Sequence, residues 1–401
     1  MSRGFGPAPS LWLDFLSGLL DGRITFTRTS AATYVNSAGL IASAAVDAPR
    51  FDYDPATLAP KGLLIESQRT NLLLRSEEFD NASWTKANVT VIANAVTAPD
   101  GTTTADKVQA TATAATAVSQ LVASVSGTSA TYSIYAKQGS GPTDANIFLL
   151  RNSTTATNLI QGTLNYSTGV WTYTTGSTGV TVSNAGNGWW RLQITVTSGI
   201  TSGDGLLVYA GFRGDSEAAG EFAYLWGAQL EAASFATSYI PTAGSQVTRT
   251  ADQASIVAPN FAPWYNQSEG TFVVEFDTTQ TGLNAATSYL LGFDNSASKR
   301  VVYIGMGGDV AATFDGTTIL GAAGDVTGPA VKVASAYNGS GRAIVAAGGA
   351  VTTGAVAVGY SSASSLNIGQ MGGGQQLDCH IRSIRYFPTR LSNVQLQALS
   401  A

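Results

Sequence analysis

The chain has 401 residues, too many for one ordinary core, and its 44% hydrophobic content is enough for two or three packed domains. Charged residues are only 12% of the chain, about half the usual share, while Gly alone counts 44. With a net charge of −5 and no Lys/Arg cluster, the composition excludes a phosphate-neutralising nucleic-acid binder. It also argues against a helical bundle, which needs Glu, Lys, Leu and Arg.

The N-terminus, MSRGFGPAPSLWLDFLSGLL, has no positive n-region followed by a clean apolar run, so neither a signal peptide nor a transmembrane helix is expected. In SLWLDF, Leu11, Leu13 and Phe15 alternate with Trp12 and Asp14, and RITFTRTS continues with Ile24 and Phe26. TYVNSAGLIAS predicts a hairpin turning at Asn36–Gly39. DAPRFDYDP, bounded by Pro49 and Pro55, reads as an irregular loop. Residues 1–70 hold too few large apolar residues for a core of their own. They are expected to form an extended assembly segment packed on a later domain or on a neighbouring subunit.

Residues 71–245 carry eight or nine strand signals separated by Gly-, Asn- and Pro-bearing turns, the pattern of a β-sandwich or jelly roll. In TYSIYAKQ, Tyr132, Ile134 and Ala136 share one face, and Ser133, Tyr135 and Lys137 the other. SYIPTAGSQVTRTAD reads as a linker. A second sandwich fills 246–401. It opens with TFVVEFD, where Phe272, Val274 and Phe276 alternate with Val273, Glu275 and Asp277. It closes with one short helix in LSNVQLQALS, where Ser392 and Gln395 have capping-box spacing and Val394 and Leu399 would face inward. The expected fold class is all-β: two antiparallel β-sandwiches with an extended N-terminal segment and a short C-terminal helix.

The runs FTRTSAATYVNSAGLI, DAPRFDYDP and GLLIESQRTNLLLRSEEFDNASW resemble the N-terminal signature of phage and prophage tail-fibre or structural proteins. GWWRLQITVTSG with YLWGAQLEAASFATSYIPT is similar to the closing half of the carbohydrate-binding-module-like jelly roll found with that signature. EGTFVVEFD and IRSIRYFPTRLSNVQLQAL resemble a concanavalin or laminin-G-like lectin domain. These segments together span nearly the whole chain. The resemblance implies a virion location, exposed outside the particle after assembly in a host cytoplasm. It also implies other virion proteins as partners and a homo-oligomer, most often a trimer. A host-surface glycan is the expected ligand; nucleic acid and membrane insertion are not expected.

No catalytic set is legible. The single Cys379 and single His380 are neighbours on a strand, so they point to opposite faces, one inside and one outside. Glu275 and Asp277 share a strand face, as glucanase carboxylates do, but the third acid of such a motif is missing and a solvated strand face accounts for them. Sugar sites stack a ring on an exposed aromatic side chain. The candidates for glycan binding are Trp171, Tyr173, Trp189, Trp190, Tyr224 and Trp226, with Tyr209 as a further aromatic. In Trp189-Trp190 one indole must face away from the core, either exposed, covered by the N-terminal block or buried at a subunit contact. Trp264 and Tyr265 read as exposed or docked between domains. A Ca2+ ion would use Asp80, Asp106 and Glu231. The expectation is a non-enzymatic virion structural protein, a tail-fibre or surface-appendage (receptor-binding or decoration) protein. The rival readings are a secreted lectin-like module and a polysaccharide depolymerase.

Overall fold

The computed structural model describes residues 8–112, 116–141, 146–212, 219–278, 288–294, 300–304, 311–314, 319–322, 326, 328–355, 363–370 and 376–401. The protein is all-β, with two antiparallel sandwiches and one short C-terminal helix, Asn393–Ser400.

The first sandwich stacks two six-stranded sheets. The sheet that faces the N-terminal segment, called the inner sheet, runs Val180–Asn184, Trp189–Val196, Ala130–Ser140, Phe222–Glu231, Ala105–Ala110, Val89–Val96. The other runs Val170–Thr175, Thr157–Asn165, Asn146–Asn152, Leu206–Phe212, Thr116–Val122, Thr85–Ala87. Period-two alternation sends Tyr132, Ile134 and Ala136 into the core between them, with Leu192 and Ile194 from the paired strand. A bulge at Gly227 shifts the register of Phe222–Glu231. Gly227 sits at φ +61°, with room for no side chain against the Tyr135 ring. The bulge lets Tyr224 and Trp226 before it, and Gln229 and Glu231 after it, lie on the same outward face.

The second sandwich is built from both ends of the chain. Its larger sheet runs Thr352–Gly354, Gly341–Ala346, Gly328–Asn338, Gly270–Thr278, Cys379–Phe387, Pro60–Ile65, Phe51–Tyr53, with Leu11–Asp14 also paired to Cys379–Phe387. Its second sheet begins with Thr25–Thr27 paired to Gln253–Ile256. The N-terminal segment therefore packs on the later domain of its own chain, by adding strands to both sheets. The expected loop DAPRFDYDP contains the edge strand Phe51–Tyr53. Leu11, Leu13, Phe15, Ile24, Phe26, Leu63 and Ile65 share one core with Phe272, Val274 and Phe276. Trp12, on the opposite face, is 63% exposed. The hairpin forms from Ala32–Val35 and Ile41–Ala44.

Trp264 lies in this same core, 5% exposed and edge-on to Phe261 and Tyr386, with Tyr265 packed against it. The expectation of an interdomain or exposed aromatic pair is corrected here: Trp264 Nε1 finds an acceptor in Asn260 O at 3.0 Å, so the indole can be buried whole. The capping box forms and Leu399 faces the sheet as expected, but Val394 is 78% exposed, and the fully buried Leu396 takes the inward place expected of it.

Because Leu63 is fully buried and comes from the N-terminal segment, Leu63→Ala is expected to lower the stability of the second sandwich by about 2–5 kcal/mol. Urea denaturation followed by fluorescence of the buried Trp264 checks this; a loss below about 1 kcal/mol would mean the N-terminal strands are loosely attached.

Candidate functional site

Where the N-terminal segment meets both sandwiches, the junction is polar. Asp252, fully buried, accepts from Arg28 Nη1 at 3.0 Å, from the Glu66 backbone N–H at 2.8 Å and from Arg50 Nη2. Arg50 Nη1 donates to Glu66 Oε2 at 2.7 Å, to Thr33 O at 2.9 Å and to Ser238 Oγ at 2.8 Å. Glu66 also accepts from the Ser238 N–H and hydroxyl, each at 2.7 Å, and lies 3.5 Å from Arg249 Nη2. Burial opposes ionisation of Glu66, but Arg249 and Arg50 outweigh it and hold the carboxyl well below the usual range. Ser238 belongs to the segment closing the first sandwich, so this cluster joins both sandwiches and the N-terminal segment. The stretch expected to be a linker, SYIPTAGSQVTRTAD, holds Tyr239, Arg249 and Asp252, all at most 3% exposed.

On the outward face of the larger second sheet, a run of four adjacent strands aligns Asp277, His380 and, beyond Pro60–Ile65, Asp52. His380 Nδ1 lies 2.7 Å from Asp277 Oδ1, and Nε2 lies 2.8 Å from Asp52 Oδ2. Two carboxylates on the two ring nitrogens require both to carry protons, so the ring is held as imidazolium. Burial and Lys61 push its pKa down, but Asp277 and Asp52 prevail and raise it; burial pushes Asp277 up, and His380 overcomes that and lowers it. The expectation of one inside and one outside residue is corrected: Cys379 is 2% exposed and His380 8%. Cys379 points into the core as alternation demands, but the opposite face is covered by the N-terminal strands and the first sandwich. Asp277 is likewise buried, not solvated, while Glu275 is half-buried and bonded to Arg382 Nε at 3.0 Å.

Between this face and the inner sheet lies a cleft of about 990 Å3, at the upper end of the size range of small-ligand sites. One wall carries Tyr34, Tyr53 and Lys61; the other carries Thr181, Ser183 and Gln193 of the inner sheet. The side chains of Thr181, Ser183 and Gln193 make no hydrogen bond among the described residues and are exposed or half-buried. Arg191 is fixed beside them: Nη2 donates to Thr237 O at 2.6 Å, and the guanidinium lies 5.5 Å from the Tyr135 ring centre.

The aromatic candidates fall on two faces. Trp171, Tyr173 and Trp190 pack against the first sandwich's core from its edge, half-buried. Trp189, Tyr224 and Trp226 lie on the outward face of the inner sheet, and there Trp189 and Trp226 are 1% exposed. Trp226 is tilted against Tyr239 with ring centres 4.6 Å apart, and Trp189 Nε1 donates to Thr97 O at 3.2 Å. Trp189 and Trp226 therefore offer no stacking surface: the closing segment and the turn near Pro99 cover them. Tyr209 is half-buried and spends its hydroxyl on Thr116 O at 3.0 Å. The polar wall of the cleft was not singled out from sequence; alternation on Trp189–Val196 would have placed Arg191 and Gln193 there.

The three acids suggested for calcium do not converge. Asp106 accepts from the N–H groups of Phe79 at 2.7 Å and Asn94 at 3.0 Å, and burial pushes it up to about 6. Glu231 is capped by Thr237 and Gln229. Asp106 pairs with Leu225, so Glu231 sits roughly 20 Å further along that strand at about 3.3 Å per residue. Asp80 is exposed. No group of three metal-ligating side chains occurs among the described residues.

His380 carries a sign-definite pH dependence. Its folded pKa is raised above 6.5, so its stabilisation is complete below that value and is lost as pH rises through the folded pKa. Denaturation midpoints of the native chain are expected to fall as pH rises above 6.5, and those of His380→Gln to stay level. Equal slopes would contradict the imidazolium assignment.

No protein-family model matches the chain, and no curated protein matches it. Among solved structures it is similar to a putative carbohydrate binding protein from Bacteroides ovatus, at 12% identity over 68% of this chain and 79% of that one, with a TM-score of 0.27. It is similar to the N-terminal tandem CBM22 domains of Paenibacillus barcinonensis Xyn10C, at 13% identity over 82% and 99%, with a TM-score of 0.28. It is also similar to a tail fiber protein from an E. coli phage, at 11% identity over 80% of this chain and 40% of that one, with a TM-score of 0.22. TM-scores at this level carry no functional argument; the fold is defined by the strand order described above.

Proposed function

We propose that the protein is a surface component of a phage particle that holds a host-surface glycan in the cleft between the N-terminal segment and the inner sheet, without cleaving it. The cleft carries this reading. Its sheet wall offers hydroxyl and amide groups with no partner among the described residues, and its opposite wall offers two tyrosines. Sugars require that mixture, since an apolar ring face covers the pyranose C–H groups while fixed polar groups orient the hydroxyls. The sparse charge, 12% of residues, suits recognition of hydroxyls more than of phosphates. The virion setting is supported by the resemblance of the segments containing Arg28, Arg50 and Glu66 to tail-fibre and structural proteins. Binding without turnover is supported by the occupied state of the acid–base groups: His380 has no free ring nitrogen, and Glu275 is bonded to Arg382.

A bacterial polysaccharide array is expected to give hits with the native chain. Replacing Thr181 and Gln193 together by Ala should weaken the best hit about tenfold, a loss matching one or two hydrogen bonds, with the melting temperature unchanged. An array without hits would overturn glycan binding. Release of reducing ends that stops in Glu275→Gln would favour the depolymerase, and absence of the protein from purified virions by mass spectrometry would favour the secreted lectin.

A further inference from the structure

The cleft continues past the edge of the inner sheet. A second recess of about 430 Å3 opens there, and Asn184 lines both it and the cleft. We propose that this recess is a separate sugar subsite, so that the ligand is a linear oligosaccharide running through both, not a single terminal sugar. The inference rests on the glycan reading above and extends it to the class of ligand.

Three observations converge on the recess. First, Trp190 lines it with the part of its ring that stays accessible. The ring cannot swing: Nε1 donates to Tyr166 O at 2.9 Å, and Gly169 lies so close that a Cβ there would be 2.3 Å from the ring. A ring locked in plane at a pocket wall is a pre-organised stacking platform, which loses little entropy on binding. Second, polar side chains stand beside the ring at the mouth of the recess. Lys137, whose Nζ is fixed on Asn187 O at 2.9 Å, and Gln138 provide polar groups at the rim.

Third, the N-terminal loop makes one continuous wall. Pro55 lines the cleft and Ala56 the recess. The loop reaches this position because residue 186 is glycine, at φ +77°, where any Cβ would lie 2.7 Å from Pro55 O. The turn Asn184–Gly188 and the loop therefore form a shared rim, along which a chain of sugars can pass from one site to the next.

The test uses the full chain and a size ladder of fragments, disaccharide to octasaccharide, prepared from the polysaccharide that binds best in the array. Calorimetry on the native protein should show the octasaccharide binding about tenfold or more tightly than the disaccharide, as expected when two subsites are engaged by one linked ligand. Trp190→Ala should erase that gain and leave the disaccharide affinity unchanged. Gln138→Ala removes only a half-buried amide at the rim, so it should fold normally and still lose part of the gain. Equal affinity along the ladder, or a length gain that survives both substitutions, would overturn the subsite while leaving glycan binding in the cleft standing. No binding by any fragment would overturn both.

Discussion

The architecture depends on a buried cluster of three guanidinium and two carboxylate groups. Arg28, Arg50 and Arg249 bring three positive charges; Glu66 and Asp252 bring two negative ones. Charges taken from water are tolerated only if each finds partners. Here the surplus positive charge is met by backbone carbonyls, those of Ser30, Ala45, Thr33 and Ser67. Such a cluster contributes less to net stability than to specificity, because any other arrangement of the same segments would strand a charge in the interior. Chain positions near 28, 50, 66, 238 and 250 must arrive together. That requirement fixes the N-terminal segment between the two sandwiches, and the cleft is the space this placement leaves.

Much of the fold was legible. Alternation in Leu11–Phe15 and in Phe272–Asp277 correctly assigned the inward faces, since a strand with one buried side has no other stable pattern. Ser392 and Gln395 marked the helix start. Sheet membership was not legible, because pairing Pro60–Ile65 with Cys379–Phe387 joins residues more than 300 positions apart, and no local signal encodes that partner. Three of the five charges in the cluster, Arg28, Arg50 and Glu66, lie in the N-terminal segment, and Arg249 and Asp252 lie in the stretch between the sandwiches. Their polar residues read as loop and linker chemistry only while their partners were unknown.

The site was less legible than the fold for a related reason. A tryptophan on an outward face looks available in sequence, yet Trp189 and Trp226 are roofed by Tyr239 and by the turn around Pro99. Covering those indoles shifts the accessible chemistry along the inner sheet to Thr181, Ser183, Arg191 and Gln193, residues whose types are ordinary on any strand. His380 is a clamp between strands. With carboxylates on both nitrogens it joins the edge of the N-terminal segment to the centre of the second sheet, and its proton is part of that joint.

The charge cluster couples segments from all parts of the chain into one junction, and amide hydrogen exchange on Asp252→Asn tests that coupling directly. Protection is expected to fall together in residues 28–35, 60–67 and 236–252, because the loss of one carboxylate leaves Arg28 with no acidic partner and Arg50 with Glu66 alone. A loss confined to the few residues around position 252, with the N-terminal segment as protected as before, would contradict it.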